Sequence, residues 1–197
     1  MKSFIILCGG RSKRMGKDKG SMILNGKPMI LHVLDTISNI ADEIILVLRD
    51  EDQVKRYKEL LEDKYSSLKF VTDKTKDKGP LIGLFTGLSA IRSDYAQILP
   101  CDSPFISRIF VLNMFKAAEY GEFEALVPQW EDGHIEPLHS IYKKTVLNTI
   151  NNLIKEQQMD VKSLIMNINA RYMDIKKLDS TAKSFQNINT FKDFQKY

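Results

Sequence analysis

The sequence predicts an α/β fold, a doubly wound and mostly parallel sheet covered by helices. Three observations carry this. Short, largely apolar runs recur at residues 4–7, 44–48, 68–71, 96–99 and 125–127, the mark of strands buried on both faces. Segments of helical spacing separate them, as parallel connections require. The first run empties directly into a glycine-rich loop.

The elements follow in order. Pro28 suits a first helical turn, and Ile30, Leu31, Leu34 and Ile37 then recur with a helical period up to Asn39. Residues 51–61 read as a second helix. The charged run 74–78 reads as a solvated loop ending at Gly79-Pro80, and it is also placed to close over a ligand. Gly79-Pro80-Leu81-Ile82-Gly83 then leads into a helix over 84–91. A further helix spans 107–120, with Ser107 as its N-cap. After Pro137 the pattern loosens into a strand over 138–142, helices over 146–155 and 161–168, and a short strand around Tyr172-Met173.

The 197 residues fit one domain with a substantial core. Hydrophobic content of 43%, charged content of 27%, ten Gly and six Pro exclude disordered and fibrous classes. No apolar run approaches the ~18 residues of a membrane span, and the apolar run after Lys2-Ser3 is too short for a secretory signal, so a cytoplasmic location is expected. Cys8 and Cys101 end apolar strands, where small buried thiols are expected. The net charge of +4 comes from basic residues interleaved with 25 acidic ones. With no basic stripe and no nucleic-acid module, a small phosphorylated ligand accounts for the excess at least as well as nucleic acid, and neither nucleic acid nor a membrane is expected as a partner.

The loop from Leu7 through Cys8, Gly9, Gly10 and Arg14 to Lys19 joins converging backbone N–H groups to fixed cations. That combination binds phosphate by geometry and charge together. It is neither a Walker loop nor a G-x-G-x-x-G turn; the competing reading is a solvated surface turn. In Pro100-Cys101-Asp102-Ser103-Pro104-Phe105, Asp102 lies just past a central strand, where open α/β sheets bind ligands. Mg²⁺ takes one or two carboxylates plus phosphate oxygens, which makes Asp102 the metal candidate against a simple cap. Asp73 leaves the strand 68–71 on the same edge and suits a ribose or base contact, or a turn cap. Gly79 brings backbone close to a ligand or forms a plain turn. Asn187 and Asn189, two apart, point the same way in an extended segment, or cap turns.

These motifs together resemble the molybdenum cofactor guanylyltransferases. The resemblance runs nearly end to end. It rests on Leu7-Cys8-Gly9-Gly10 with Arg14-Met15-Gly16-Lys17-Asp18-Lys19, on Gly79-Pro80-Leu81-Ile82-Gly83, on Pro100 to Phe105, and on Phe185-Gln186-Asn187-Ile188-Asn189-Thr190. Pro137-Leu138 to Tyr142 looks like the strand that precedes the family's C-terminal part. The resemblance implies a Rossmann-like nucleotidyltransferase fold of the nucleotide-diphospho-sugar transferase type, with a nucleotide-binding half over about 1–105 and an acceptor-binding half over about 106–197.

It also implies the activity: transfer of GMP from GTP to the phosphate of molybdopterin, giving molybdopterin guanine dinucleotide and pyrophosphate. GTP would meet Leu7, Cys8, Gly9, Gly10, Lys19, Asp73, Gly79 and Asp102. Arg14, Lys19 and Asp102 would be catalytic, Asp102 would carry Mg²⁺, and Asn187 and Asn189 would face the pterin. Partners would be cofactor-synthesis proteins and molybdoenzyme chaperones, met transiently. Cys8 and Ile82 stand where the family has alanine, and Val47 where some relatives have asparagine. Gly9-Gly10 favours guanine, since related CTP enzymes tend to carry Ala-Gly there. A cytidylyl- or sugar-phosphate nucleotidyltransferase and a non-catalytic GTP-binding accessory protein are the alternatives.

Overall fold

Successive side chains of a strand point to opposite faces, so an apolar run with no polar alternation must be covered on both sides. The computed structural model, which describes residues 1–9, 18–61, 64–65, 68–73, 79–119, 121–188 and 193, meets that requirement with a seven-stranded sheet between two helical layers. Its first half supplies β1 (Ser3–Leu7), β4 (Glu43–Leu48), β5 (Leu68–Thr72) and β6 (Tyr95–Pro100), after a small hairpin of β2 (Ile23–Leu24) and β3 (Lys27–Pro28). The second half supplies β7 (Ala125–Gln129), β8 (Ile141–Lys143) and β9 (Ala170–Asp174). The strand order is β5-β4-β1-β6-β8-β7-β9, and β8 alone runs antiparallel to both its neighbours.

Helices α1 (Met29–Ile37), α2 (Glu51–Leu61), α4 (Arg108–Ala118) and α7 (Ile175–Leu178) cover one face. There Phe4, Ile6, Ile44 and Leu46 meet Val33, Tyr57, Phe110 and Leu178. The intervening residues Ile5, Ile45 and Val47 face α3 (Pro80–Ala90), α5 (Leu147–Lys155) and α6 (Val161–Met166) through Leu84, Ile150 and Leu164. Several helices are capped by the side chains that precede them. Ser107 Oγ accepts from the Phe110 N–H at 3.1 Å, as its sequence position predicts, and Asp160 accepts from the Ser163 N–H at 2.9 Å.

Four expectations need correction. The third helix begins at Pro80 rather than residue 84, because Pro80 occupies its first position and continues it instead of ending a turn. Leu138 lies in a 3₁₀ turn, Pro137–His139, so the expected strand over 138–142 starts only at Ile141. The helix expected over 161–168 ends at Met166, closed by the Asn167 N–H on the Leu164 carbonyl at 2.9 Å. The helix expected over 107–120 ends at Ala118, and Tyr120 lies outside the described residues.

Candidate functional site

Leu7, Val47 and Pro100 are level in the sheet, so the segments leaving β1, β4 and β6 emerge side by side at one edge. Backbone bonds hold that edge: the Cys8 N–H donates to the Val47 carbonyl at 2.9 Å, the Cys101 N–H to the Leu7 carbonyl at 3.3 Å, and the Asp73 N–H to the Leu48 carbonyl at 2.9 Å. A Cβ placed on Gly9 would lie 3.3 Å from Asp73 Oδ2, so the acid that follows β5 reaches the loop that follows β1. Asp73 is half-buried, and burial pushes its carboxyl up against an opposing hydrogen bond from Thr86. Its Oδ1 is buried without a hydrogen-bond partner among the described residues. A cleft of about 350 Å³ opens beside it, lined by Arg49, Asp50, Glu51, Asp52, Thr72 and Asp73. Arg49 Nε donates to Asp50 at 2.8 Å and holds that carboxyl below its ordinary range.

Asp18 starts a 3₁₀ turn, Lys19–Ser21, that turns Lys19 towards β6. Lys19 Nζ lies 2.7 Å from Asp102 Oδ2, with both side chains largely buried. Below them Cys8 and Cys101 are free buried thiols, as their strand-end positions predict. A hydrogen bond to Cys8, together with burial, pushes the Cys101 thiol well up.

The Asp102 carbonyl accepts from the Ile188 N–H at 2.9 Å, which draws the C-terminal segment under the same edge. Ser103 Oγ donates to Asn187 Oδ1 and also lies 3.2 Å from His139 Nε2. His139 Nδ1 lies 3.5 Å from Glu136 Oε2, and Trp130 Nε1 donates to Glu136 Oε1 at 2.9 Å. Burial works to raise the Glu136 carboxyl, yet the His139 ring and the Trp130 N–H hold it below its ordinary range. His139 thus serves the packing of this segment, while His32 binds the Leu24 carbonyl at 2.9 Å.

The structure brings together Leu7, Cys8, Gly9, Lys19, Asp73 and Asp102. Gly79 starts α3 with φ at 89°, a left-handed conformation that asks for glycine, and packs on Met159. Asn187 is tied to Ser103 rather than presented alone. Gly10, Arg14, Asn189 and the run 74–78 lie outside the described residues. Val47 is core, 1% exposed.

No group of three or more His, Cys, Asp or Glu side chains is arranged to hold a metal among the described residues. Asp102 offers one oxygen-donor carboxylate, a set that fits Mg²⁺ when phosphate oxygens complete the shell and does not fit a closed structural zinc site. No described helix is long and apolar enough to cross a membrane.

Two residues that the sequence reading passed over are Gln53 and Tyr57. Gln53 Nε2 donates to the Cys8 carbonyl at 3.0 Å and to Asp18 Oδ2 at 2.6 Å, and Tyr57 Oη donates to Asp18 Oδ1 at 2.8 Å. The signal available was a glutamine on the apolar stripe of α2, beside Val54, Tyr57 and Leu61.

A lysine–carboxylate pair at the carboxyl edge of a doubly wound sheet suits a nucleotide's phosphates, and the family match makes the class that of the nucleotidyltransferases. The MobA-like NTP transferase domain family matches residues 4–171. Over 99% of its length the chain is 35% identical to a probable molybdenum cofactor guanylyltransferase of Methanothermobacter thermautotrophicus, of which it covers 98%. A protein of the same description from Methanocaldococcus jannaschii is 30% identical, with 96% and 94% covered. Among solved structures, molybdopterin-guanine dinucleotide biosynthesis protein A of Archaeoglobus fulgidus superposes with a TM-score of 0.83 at 26% identity, covering 100% of this chain and 96% of that one. The chain therefore belongs to the MobA-like NTP transferase family and, within it, to the molybdenum cofactor guanylyltransferases.

Proposed function

We propose that the protein transfers GMP from GTP to the phosphate of molybdopterin, releasing pyrophosphate. The observation that carries this reading furthest is the Lys19–Asp102 pair, 2.7 Å apart beside the glycine loop, in a chain that matches guanylyltransferases along its whole length. A phosphate oxygen of molybdopterin attacks the α-phosphorus of GTP in line; the new P–O bond forms as the bond to the β-phosphate oxygen breaks. The acceptor phosphate is already ionised near pH 7, so no side chain need act as general base. Lys19 and the N–H groups that follow β1 hold the negative charge that grows on the departing pyrophosphate, and Arg14 joins them on the strength of its motif. Asp102 would hold Mg²⁺ together with phosphate oxygens, and that ion supplies Lewis-acid neutralisation of the reacting phosphates.

Asp73 and Gly9 line the nucleoside side, with Leu7, Cys8, Gly10 and Gly79 completing the nucleotide contacts. Asn187 and Asn189 are assigned to the acceptor on the strength of their motif. The two halves, about 1–105 and 106–197, divide nucleotide from acceptor. The reaction belongs to the cytoplasm, with transient contacts to cofactor-synthesis proteins and molybdoenzyme chaperones.

The test is pyrophosphate release with Mg²⁺ and molybdopterin, comparing GTP with CTP, ATP and UTP. Release with GTP alone is expected. A preference for CTP overturns the guanine assignment, and silence with every nucleotide despite GTP binding overturns the enzyme reading in favour of a nucleotide-binding accessory protein.

A further inference from the structure

Asp18 places an anion next in sequence to the lysine that must meet phosphate, and the structure surrounds it with neutral donors. Its Oδ1 accepts from the Gly20 N–H at 3.1 Å and from Tyr57 Oη at 2.8 Å, and its Oδ2 accepts from Gln53 Nε2 at 2.6 Å. Gln53 is 3% exposed and Tyr57 fully buried, so these are desolvated, charge-assisted bonds from a helix that carries no residue of the expected site. The same Gln53 amide donates to the Cys8 carbonyl at 3.0 Å, and its Oε1 accepts from the Arg49 N–H at 2.8 Å. One side chain therefore touches the segment leaving β1, the segment leaving β4 and the residue before Lys19. A Cβ on Gly20 would fall 2.2 Å from Tyr57 Oη, so the close approach of the hydroxyl requires glycine at that position.

We propose that Gln53 and Tyr57 are positioning residues for nucleotidyl transfer: they hold Asp18 from α2, fix Lys19 in line with Asp102, and so set the affinity of the site for nucleotide phosphates. This rests on the phosphate role assigned to Lys19 above. Without those donors, Asp18 is released beside Lys19 and competes with the incoming phosphates for the same ammonium. Tyr57 contributes one bond to the carboxylate, whereas Gln53 ties the carboxylate to two strand ends, so Gln53 carries the larger effect.

The test is titration of the full-length chain with GTP and Mg²⁺ in the absence of acceptor, for the wild type, Gln53→Leu, Tyr57→Phe, Lys19→Ala and the two double variants with Lys19→Ala. Losing a hydrogen bond to a buried charge is worth about tenfold in binding, so Gln53→Leu is expected to weaken GTP by about that factor and Tyr57→Phe by less. In the Lys19→Ala background both further losses are expected to vanish, because the residues act through Lys19. Unchanged affinity in the single variants overturns the proposal, as do losses of equal size in both backgrounds, which mark a general structural role. Should Gln53→Leu fail to fold, Tyr57→Phe, which keeps the ring and removes only the hydroxyl, decides by the same cycle. A wild type that binds GTP yet releases no pyrophosphate with molybdopterin defeats the guanylyltransferase reading and leaves this cycle fully interpretable.

Discussion

The two edges of the sheet treat their buried acids differently. At the amino edge Glu43 is closed off: Oε2 accepts from Ser3 Oγ at 3.0 Å and from the Arg92 N–H at 2.9 Å, while Oε1 accepts from Arg92 Nε at 3.1 Å. Ser93 Oγ donates to Ser3 Oγ at 2.8 Å and extends the lock. At the carboxyl edge Asp73 keeps a buried oxygen without a partner among the described residues, and Asp102 meets Lys19. A buried polar group costs stability unless it is paired. The amino edge spends its polar groups on folding; the carboxyl edge keeps one open, where a ligand donor would complete it.

Breaking the lysine at the carboxyl edge should have the largest effect. Lys19→Ala is expected to lower turnover by about 10²–10³, the usual cost of removing one preorganised donor, with the fold retained. Single-turnover pyrophosphate release measures it, and near-normal turnover removes Lys19 from the reaction. The amino edge should answer in the opposite currency. Glu43→Ala leaves three donors without their acceptor and is expected to cost about 1–3 kcal/mol in urea unfolding while GTP affinity stays unchanged. A loss of affinity there would erase the contrast between the edges.

Asp73→Asn sharpens the comparison, because one residue should show both effects with opposite signs. Burial raises the folded-state carboxyl above the 3.8 of an exposed aspartate, so the folded form binds the proton more tightly. Wild-type stability therefore rises as pH falls through that range, and the ionised group opposes folding at neutral pH. The variant is expected to melt higher at pH 7, to lose this pH dependence, and to bind GTP about tenfold more weakly. A variant that melts lower shows that the open oxygen is not a strain on the fold.

The smallest effect is expected away from both edges. At Asp35, burial works to raise the carboxyl, but hydrogen bonds from Lys27, Tyr65 and Lys64 together lower it from 3.8 to about 2. Its contribution is complete above pH 3.8 and is lost as pH falls towards about 2. Asp35→Asn should lower neutral stability only slightly, since the cluster is solvent-screened, and should flatten the acid limb of an unfolding curve by the same small amount.

The parallel half was legible because its central strands β1 and β4 are buried on both faces and so read as unbroken apolar runs. Ile44 to Leu48 falls wholly inside β4. The second half blurred the signal: β8 is three residues long, and Pro137 folds the approach to it into a 3₁₀ turn. The β2–β3 hairpin did carry a local signal that went unread, Asn25-Gly26 with φ of 47° and 80°, the pair that a tight I′-type turn demands. The position of Asp73, Lys19 and Asp102 at one sheet edge was readable because each follows a strand or a glycine loop. Gln53 was not, since its role depends on which carbonyl and which carboxylate the packed helix meets, and neither is adjacent to it in sequence.

The place of β8 in the sheet also sets an order of events during synthesis. The strands β5, β4, β1 and β6 are complete once residue 100 has been made, and a chain emerging amino end first can pair them at once. The next strand made, β7, cannot join them, because its neighbours are β8, which ends at Lys143, and β9, which ends at Asp174. For the time it takes to make the intervening residues, β6 presents an open edge and β7 stands unpaired beside it in sequence. A three-residue strand made late is thus the seam that turns two separately ripening pieces into one sheet.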